Sequence, residues 1–330
     1  MKLLQLGFIC IYLTYSSQSL AQKFSSKFYT SPTLLNPANT GNFIADYRVG
    51  GVSRTEKNGL VNDISYFFSY DSKILKNIVQ DKDRLAIGIS ALSESDRYFG
   101  LFDKSIFLSL AYFKGLNESG DEKIGIGFQV ASTTKTKETP TYIFTNQVET
   151  AANYGFSGLN FFSPKVSVSY LDFNAGISYQ KTIQSKHLIS FGLSILHITK
   201  PQKKIDGGEF MIDSKVGLQN VNEFEISNRN KILTNFNLNS DLGKGNIRDL
   251  SFGCIYQVGV GQTFYKISGG TFIKYDKIFG TIFSPTIGLK LLKLNIQITY
   301  DIVSSKEIYN RRNAFEFGMF YTGMLKSNTK

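Results

Sequence analysis

Apolar and polar residues alternate along this chain over stretches of about ten residues, and this pattern limits the fold more than any other feature of the sequence. In "LNIQITYDIV", Leu294, Ile296 and Ile298 share one parity, while Asn295 and Gln297 share the other. The same alternation recurs in "ILTNFNLNSD", "DLSFGCIYQV", "LISFGLSILH" and "AFEFGMFY". Because successive side chains of a strand point to opposite faces of its sheet, each stretch predicts a β-strand with one apolar and one polar face.

Such segments repeat to the end of the chain. We predict strands at residues 42–54, 60–71, 83–94, 103–115, 121–132, 165–181, 187–198, 209–220, 230–241, 248–260, 262–275, 281–292, 294–304 and 312–323. The sixth segment changes parity, because Val168 and Tyr170 share one parity and Phe173 has the other. A bulge near Leu171-Asp172 accounts for this change, or the segment contains two strands and the total rises by one.

Either a soluble β-sandwich or a membrane β-barrel explains two-faced strands, and three features favour the barrel. The polar faces are rich in Asn, Gln, Ser, Gly and Asp, which suit a wet lumen. The strands have the length of about 9–11 residues that a tilted membrane crossing needs. Tyr and Phe cluster near strand ends, as in "SYFFSY" and "IKYDKIF". We therefore predict an all-β fold, a transmembrane antiparallel β-barrel of the outer membrane with about 14 strands.

The first residues have the form of an export signal. Lys2 precedes the apolar run "LLQLGFICIYL", and Ser19-Leu20-Ala21 offers small residues at the −3 and −1 positions of a cleavage site. The alternative is a buried N-terminal strand or helix. Cleavage after Ala21 leaves Cys254 as the only cysteine, so no intrachain disulfide is expected. We divide the chain into a signal peptide (1–21), a proline-containing segment (22–41), the barrel (42–323) and a short tail (324–330).

Loop lengths predict the orientation, since outer-membrane barrels have short periplasmic turns and longer outer loops. With the N-terminus in the periplasm, the longest connection, residues 133–164, falls on the outer side, as do 199–208 and 305–311. Exposed aromatic side chains often anchor interfaces, so we predict that the longest loop contacts a partner protein. The alternative is that its aromatic residues only pack over the barrel mouth. The candidate contact residues are Tyr142, Phe144, Tyr154, Phe156 and Phe161.

Little in the sequence points to catalysis or to a bound cofactor. The two histidines, His187 and His197, have no Cys, Asp or second His at the spacing of a metal site. No G-x-S-x-G, P-loop or H-E-x-x-H motif is present. The formal net charge is +11, yet there is no long Lys/Arg block, and exported proteins rarely meet nucleic acid. We therefore predict no enzyme activity, no cofactor, no metal and no nucleic-acid partner.

The stretch "FYTSPTLLNPANTG" is unsuited to a lipid-facing strand. Pro32 and Pro37 each remove a backbone donor, and every backbone group in lipid needs a partner. Leu34 and Leu35 nevertheless favour burial. The stretch fits inside the periplasmic mouth of the barrel or against a periplasmic partner, with Gly41 allowing the turn into the first strand. We therefore predict that it is a plug or a docking element.

The same stretch resembles the N-terminal signature of the PorP/SprF family of outer-membrane proteins, which reads F-x-x-x-P-x-x-x-N-P-A-x-x-G just after the signal. The positions of that signature are filled here by Phe28, Pro32, Asn36, Pro37, Ala38 and Gly41. "FGLSILHITKP" and "NIQITYDIVSS" resemble two later strands of the family, and "AFEFGMFY" resembles its final strand. The resemblance covers essentially the whole mature chain, although Asn39-Thr40 and residues 133–164 depart from the family pattern.

This resemblance implies an outer-membrane component of type IX secretion without enzyme activity. It implies three kinds of partner: outer-membrane lipid, the secretion machinery on the periplasmic side, and an exported surface cargo such as a gliding adhesin. FadL-like channels, which also carry an N-terminal Asn-Pro-Ala segment, diffusion porins and soluble secreted β-proteins are the alternatives. A channel for hydrophobic molecules needs an apolar inner face, whereas the inner faces predicted for 230–241 and 294–304 carry Asn, Gln, Thr and Asp.

Overall fold

The computed structural model describes residues 30–58, 61–76, 83–97, 100–138, 165–184, 186–205, 208–242, 247–260, 265–277, 280–304 and 312–324. They form two short helical turns, a closed barrel of fourteen antiparallel strands and a separate two-stranded hairpin. The helical turns are α1 (Pro32–Leu35) and a 3-10 helix (Pro37–Asn39). The barrel strands are β1 (Tyr47–Asn58), β2 (Val61–Lys76), β3 (Arg84–Asp96), β4 (Leu101–Gly115), β5 (Glu122–Glu138), β6 (Lys165–Ile183), β7 (His187–Leu196), β10 (Lys215–Ser227), β11 (Asn230–Asp241), β12 (Ile247–Val260), β13 (Tyr265–Asp276), β14 (Gly280–Leu291), β15 (Leu294–Ser304) and β16 (Ala314–Gly323), and the hairpin is β8 (Gln202–Ile205) with β9 (Gly208–Met211).

The barrel closes because its first and last strands pair with each other. β1 and β16 run antiparallel from Tyr47↔Gly323 to Glu56↔Ala314. Every other barrel strand pairs with its neighbours along the chain, and β7 pairs with β10 across the inserted hairpin. A closed ladder leaves no strand edge facing lipid. The prediction of a fourteen-stranded antiparallel barrel is therefore confirmed. Within the described residues, no helix is long and apolar enough to cross a membrane.

The alternation has the predicted orientation, with apolar side chains outward and polar side chains inward. On β15, Tyr300 and Ile302 are exposed on the outer surface, while Thr299 and Asp301 are buried in the lumen. On β12, Cys254 is exposed on the outer face. In the described part of the chain, twelve of the fourteen barrel strands, all except β1 and β11, carry large exposed apolar side chains, which together make the wide belt that contact with lipid requires.

The predicted irregularity in β6 is wrong. The strand pairs with β5 in an unbroken register from Lys165 to Lys181, with neither a bulge nor a division into two strands. Val168 and Tyr170 instead point into the barrel, because the outward face of this end of the strand is polar: Ser169 Oγ lies 2.8 Å from Thr134 Oγ1 on the exposed surface. The change of parity therefore marks the level at which the outer surface of the barrel turns from apolar to polar. The backbone of the strand is regular there.

Several boundaries differ from the predictions, among them the end of β2, which runs to Lys76 where residue 71 was predicted, and the end of β10, which runs to Ser227 where residue 220 was predicted. The first strand begins at Tyr47, because residues 42–46 bend back on themselves before it. The segment predicted as 209–220 is divided between β9 and β10, because part of it pairs with β8. Residues 133–138, predicted as loop, continue β5; the rest of that loop, residues 139–164, lies outside the described residues.

The two ends of the barrel differ in the length of their connections. At the end where β1 begins and β16 ends, β6–β7, β10–β11 and β14–β15 are joined through residues 184–186, 228–229 and 292–293. We call this the short-turn end. The opposite long-loop end contains the connections 139–164, 197–214 and 305–313. This asymmetry is typical of barrels whose short turns are periplasmic.

Candidate functional site

Residues 30–41, here called the lumenal segment, lie inside the barrel. Every residue from Thr30 to Gly41 is buried. The segment contains both helical turns and contacts the inner wall formed by several strands. It is therefore the largest feature that the chain places in its own lumen within the described residues.

Two prolines and one asparagine explain how the lumenal segment folds locally. Pro32 and Pro37 are the first residues of the two helical turns, where a missing N–H is not needed and a fixed φ favours the helix. Asn36 caps the second turn, since its Oδ1 accepts a hydrogen bond from the Ala38 backbone N–H at 2.8 Å. The Thr40 N–H closes the same turn by donating to Pro37 O at 3.1 Å. The Asn-Pro-Ala sequence is thus a cap followed by a helix start.

Asn36 also fastens the segment to the wall. Its Nδ2 donates to two backbone carbonyls on neighbouring strands, Ile177 O on β6 at 3.0 Å and Leu193 O on β7 at 3.1 Å. A Cβ added to Gly176 would lie 1.9 Å from Asn36 Oδ1, so glycine makes the space that the amide occupies. One side chain therefore uses its acceptor for the local turn and its donors for the wall.

Beside this anchor, the backbone of the segment lies directly on the wall. A Cβ added to Gly127 of β5 would lie 2.3 Å from the Ala38 backbone nitrogen and 2.4 Å from the Pro37 carbonyl carbon. No side chain fits between two backbones at that distance. Gly127 is therefore the position at which the strand accepts the Pro37-Ala38 peptide.

An amide pair joins the segment to β10. Asn39 Nδ2 donates to Gln219 Oε1 at 3.2 Å, and Gln219 Nε2 donates to Asn39 Oδ1 at 3.1 Å. Asn39 Nδ2 also lies 2.8 Å from Pro32 O, which ties the two helical turns together. Both amides are buried, and a buried amide without partners would destabilise the fold, so this reciprocal pair favours one position of the segment.

Further contacts hold the middle of the segment. Ser194 Oγ donates to Leu35 O at 2.8 Å, and Gln129 Nε2 lies 3.4 Å from Thr33 O. Leu34 packs in an apolar cluster inside the lumen; the other members of the cluster are Val52, Phe67, Leu92, Phe107, Ala131 and Phe320. The leucine that the sequence indicated for burial is thus buried by the barrel itself.

Charged residues flank the segment toward the long-loop end. Thr30 Oγ1 donates to Glu316 Oε1 at 3.3 Å. Glu316 belongs to a buried cluster in which the Arg54 guanidinium lies 2.6 Å from Asp301 Oδ2, 2.9 Å from Glu56 Oε1 and 3.4 Å from Glu316 Oε2. Buried carboxylates of this kind persist because a cation compensates them.

A second charge pair holds the opposite end of the segment. The Gly41 N–H donates to Asp71 Oδ2 at 2.8 Å, and Arg48 binds the same carboxylate through two hydrogen bonds of 3.0 and 2.7 Å. Gly41 has φ of +69°, and a Cβ there would lie 2.2 Å from the Ala86 Cβ. Glycine is therefore required at this turn both by its backbone conformation and by the wall.

Residues 42–46 leave the lumen at the short-turn end. The Lys73 ammonium donates to the backbone carbonyls of Phe43 and Ala45, and the ring of Phe43 lies 4.7 Å from the Arg48 guanidinium carbon. Ile44, between them, is 93% exposed. Buried charges thus hold a bend that exposes one apolar side chain at this rim.

The model of the type IX secretion system membrane protein family PorP/SprF matches residues 17–321. The chain belongs to this family. The resemblance seen in its N-terminal signature is thereby confirmed, and the family associates the protein with type IX secretion. The family and the barrel fold together support an outer-membrane location.

Solved structures show the same fold. The CymD monoaromatic hydrocarbon channel superposes with a TM-score of 0.52 at 9% identity, over 90% of this chain and 93% of that chain. The P. putida toluene transporter TodX superposes with a TM-score of 0.50 at 7% identity, over 88% and 92% of the two chains. At such identity the likeness concerns the fold alone. No curated protein matches the sequence significantly.

The structure brings together most of the predicted signature residues of this PorP/SprF protein. Pro32, Asn36, Pro37, Ala38 and Gly41 all lie in the lumenal segment. Phe28 lies outside the described residues, as do the five predicted contact residues Tyr142, Phe144, Tyr154, Phe156 and Phe161. Their roles stay predictions.

The wall residues that receive the segment were not predicted. Gly127, Gly176 and Gln219 occupy polar-face positions of their strands. In the sequence, the only indication of a contact with the segment was a glycine or an amide side chain at an inward-facing strand position. It did not say which of many inward positions meets the segment, because that depends on the register of the closed barrel.

A cavity of about 40 Å3, lined by both charged and apolar side chains, lies on the long-loop side of the lumenal segment. Leu92, Phe107 and Ala131 line this cavity and also belong to the apolar cluster that contains Leu34. Its charged lining consists of the carboxylates of Glu94, Asp103 and Asp172 and the ammonium groups of Lys135 and Lys215. The cavity has room for about three waters. Among the described residues, no group of three or more His, Cys, Asp or Glu side chains has the arrangement of a metal site.

Proposed function

We propose that this protein acts in type IX secretion as a closed docking scaffold in the outer membrane, which aids the export or surface anchoring of one cargo protein such as a gliding adhesin. Family membership supports the association with secretion. The single observation that favours a scaffold over a pore is the lumenal segment, which occupies the interior of the barrel with residues that are all buried.

The contacts of the segment support a closed resting state. Asn36, Asn39 and the carbonyls of Thr33 and Leu35 all bond to the wall. Withdrawing the segment would leave buried amides such as Gln219 without their partners, at a cost of about 1–3 kcal/mol for each orphaned group. A segment with several such bonds stays in place unless something compensates for all of them.

The two ends of the barrel then have different roles in this proposal. The export signal at residues 1–21 brings the chain out of the cytoplasm. Cargo docks at the long-loop end, where Tyr142, Phe144, Tyr154, Phe156 and Phe161 supply aromatic anchors. The secretion machinery meets the short-turn end, where the bend at residues 42–46 displays Ile44.

A small-molecule channel is the second candidate, because the fold matches the CymD monoaromatic hydrocarbon channel. The lining of the lumen argues against hydrocarbon passage through this barrel. The lining of the cavity beyond the lumenal segment includes five charged side chains among apolar ones, and an apolar solute would remove water from these charges; they are Glu94, Asp103, Asp172, Lys135 and Lys215. We therefore rank the scaffold first.

A deletion strain tests the proposal. We expect loss of one or a few exported proteins from the cell surface, restored by the wild-type gene and not by a variant in which the five aromatic residues of the 139–164 connection are replaced by Ser. Quantitative proteomics of surface, periplasmic and medium fractions is the measurement. Unchanged export and anchoring of every surface protein in the deletion strain contradicts the cargo role. Impaired uptake of small apolar compounds alone would favour the channel instead.

A further inference from the structure

Two lysines face each other on the inner wall of the barrel at its short-turn end. Lys266, near the start of β13, and Lys290, near the end of β14, are directly opposite in the register of the two strands. They have the same inward parity as Lys274 and Ser284, which are buried in the lumen. Like charges at opposite positions destabilise a strand pair, so an anion bound between them would stabilise it.

The described part of the chain provides no such anion. Within it, neither the Lys266 nor the Lys290 ammonium group forms an ion pair or a side-chain hydrogen bond. The inward carboxylates of Glu223 and Glu225, on β10 at the same end of the barrel, lie 3.9 and 3.6 Å from the Lys231 ammonium group. These carboxylates are therefore already paired with another cation.

A buried hydrogen-bond donor lies one row deeper on the same wall. Gln297 of β15 is 9% exposed, and its Nε2 has no hydrogen-bond partner among the described residues. It lies opposite Gly288, which is two residues from Lys290 on the inward face of β14. Because buried N–H groups are nearly always paired, this donor indicates an acceptor that comes from outside the chain.

Gly288 brings a hydroxyl group toward these donors. A Cβ there would lie 2.4 Å from Ser268 Oγ, so the Ser268 side chain occupies the space above the glycine. Ser268 and Gln297 are the partners of Gly288 on the two neighbouring strands. Diagonal neighbours in a sheet are about 7–8 Å apart, a distance that the long side chains of Lys290 and Gln297 span together. The ammonium groups, the hydroxyl and the amide can thus meet at one bound group.

We propose that this part of the inner wall binds a small dianionic oxyanion of the phosphate class; the site consists of Lys266, Ser268, Lys290 and Gln297. Two ammonium groups balance two negative charges, and the hydroxyl and the amide donate to further oxygens of the same ion. A carboxylate has only one charge and two oxygens, so it uses fewer of these donors. Lys290 is exposed, and the site is therefore open to solutes from the short-turn end.

Equilibrium dialysis of the folded full chain in detergent against radiolabelled inorganic phosphate tests the site. At slightly alkaline pH, where phosphate is mostly a dianion, we expect saturable binding of one phosphate per barrel. Sulfate competes with it, and acetate competes about tenfold less well, because acetate lacks one charge and one hydrogen bond.

Two variants locate the binding. Lys290→Gln removes one positive charge, and Gln297→Leu removes the buried donor without a change of charge; each is expected to weaken phosphate binding about tenfold. Lys203→Gln is the matched control, because it removes an equal charge from exposed β8, at the long-loop end. Heat-modifiable gel mobility shows which variants are folded, and Lys290 is exposed enough for its replacement to leave the barrel intact.

Absence of saturable phosphate binding by the folded wild-type protein overturns the proposal. An equal loss in Lys290→Gln and Lys203→Gln also overturns it, because binding would then follow the net charge of the protein and not this site. Unchanged binding by a folded Gln297→Leu variant overturns the placement of the ion beside the buried amide. The site is independent of the cargo role, so none of these results affects the interpretation of the export experiment.

Discussion

Gly127 and the backbone of Ala38 are in direct contact. Adding one methyl group at Gly127 therefore tests whether the lumenal segment lies against this strand. A Cβ at Gly127 would lie 2.3 Å from the Ala38 nitrogen. We expect Gly127→Ala to destabilise the folded barrel by about 1–3 kcal/mol, because the segment or the strand has to shift. The midpoint of unfolding in detergent, followed by heat-modifiable gel mobility, measures the effect.

Gly269 supplies the matched control for that substitution. A Cβ at Gly269, on β13, meets no atom within 4 Å. Gly269→Ala therefore leaves the midpoint nearly unchanged. Equal midpoints for the two alanine variants would show that the segment does not rest on Gly127.

Asn36 tests the hydrogen bonds between the segment and the wall. Asn36→Ala removes the donors to Ile177 O and Leu193 O, and we expect a loss of about 1–3 kcal/mol. Asn36→Asp keeps an acceptor for the Ala38 N–H but turns a carboxylate oxygen toward the two carbonyls, so it destabilises more than Ala does. Unfolding midpoints at neutral pH give the order. An Asp variant as stable as the wild type would mean that this amide does not face the carbonyls.

The residues of the lumenal segment could be predicted from sequence, and their partners could not. Pro32 and Pro37 exclude a lipid-facing strand by their chemistry alone. Gly176 and Gln219 have the same inward parity as many other residues, and only the closed register brings them to Asn36 and Asn39. The prolines identify the segment from local sequence alone. Its position in the barrel is determined by contacts with residues that are distant in sequence.

At the scale of elements, β6 shows which part of the alternation is reliable. Alternation correctly predicts that the segment is a strand, but the change of parity was wrongly assigned to a bulge. A period of two shows which residues share one face of a strand. It does not show whether that face meets lipid, water or the lumen. Tyr170 and Val168 are inward because Ser169 and Thr134 form a polar outer surface at the same level.

The same strand provides a prediction about membrane insertion. Phe173 is 44% exposed on the outer face, inside the apolar part of the wall, so Phe173→Arg places a charge against lipid and destabilises insertion by about 2–4 kcal/mol. Val168→Arg points inward at the long-loop end and costs much less. The fraction folded into lipid vesicles, measured by heat-modifiable mobility, distinguishes them. The reverse order of sensitivity would restore a bulge between the two positions.

At the scale of the whole molecule, the barrel follows from periodicity, while the route of the chain through it does not. Fourteen strands with an apolar outside are predictable because lipid imposes the same two-faced pattern on each strand. The depth reached by the lumenal segment depends instead on how inward side chains of many strands divide the lumen. Thr30 reaching Glu316, 286 positions away in sequence, is a contact of that kind.

Single-channel conductance of the full chain in a planar lipid bilayer tests the closed scaffold most directly. Because the lumenal segment is buried along its whole length and is fastened both to β7 and to β16, which lie on opposite sides of the barrel, we predict no steady conductance above the bilayer baseline. A large and steady conductance from the folded wild-type protein would contradict the account.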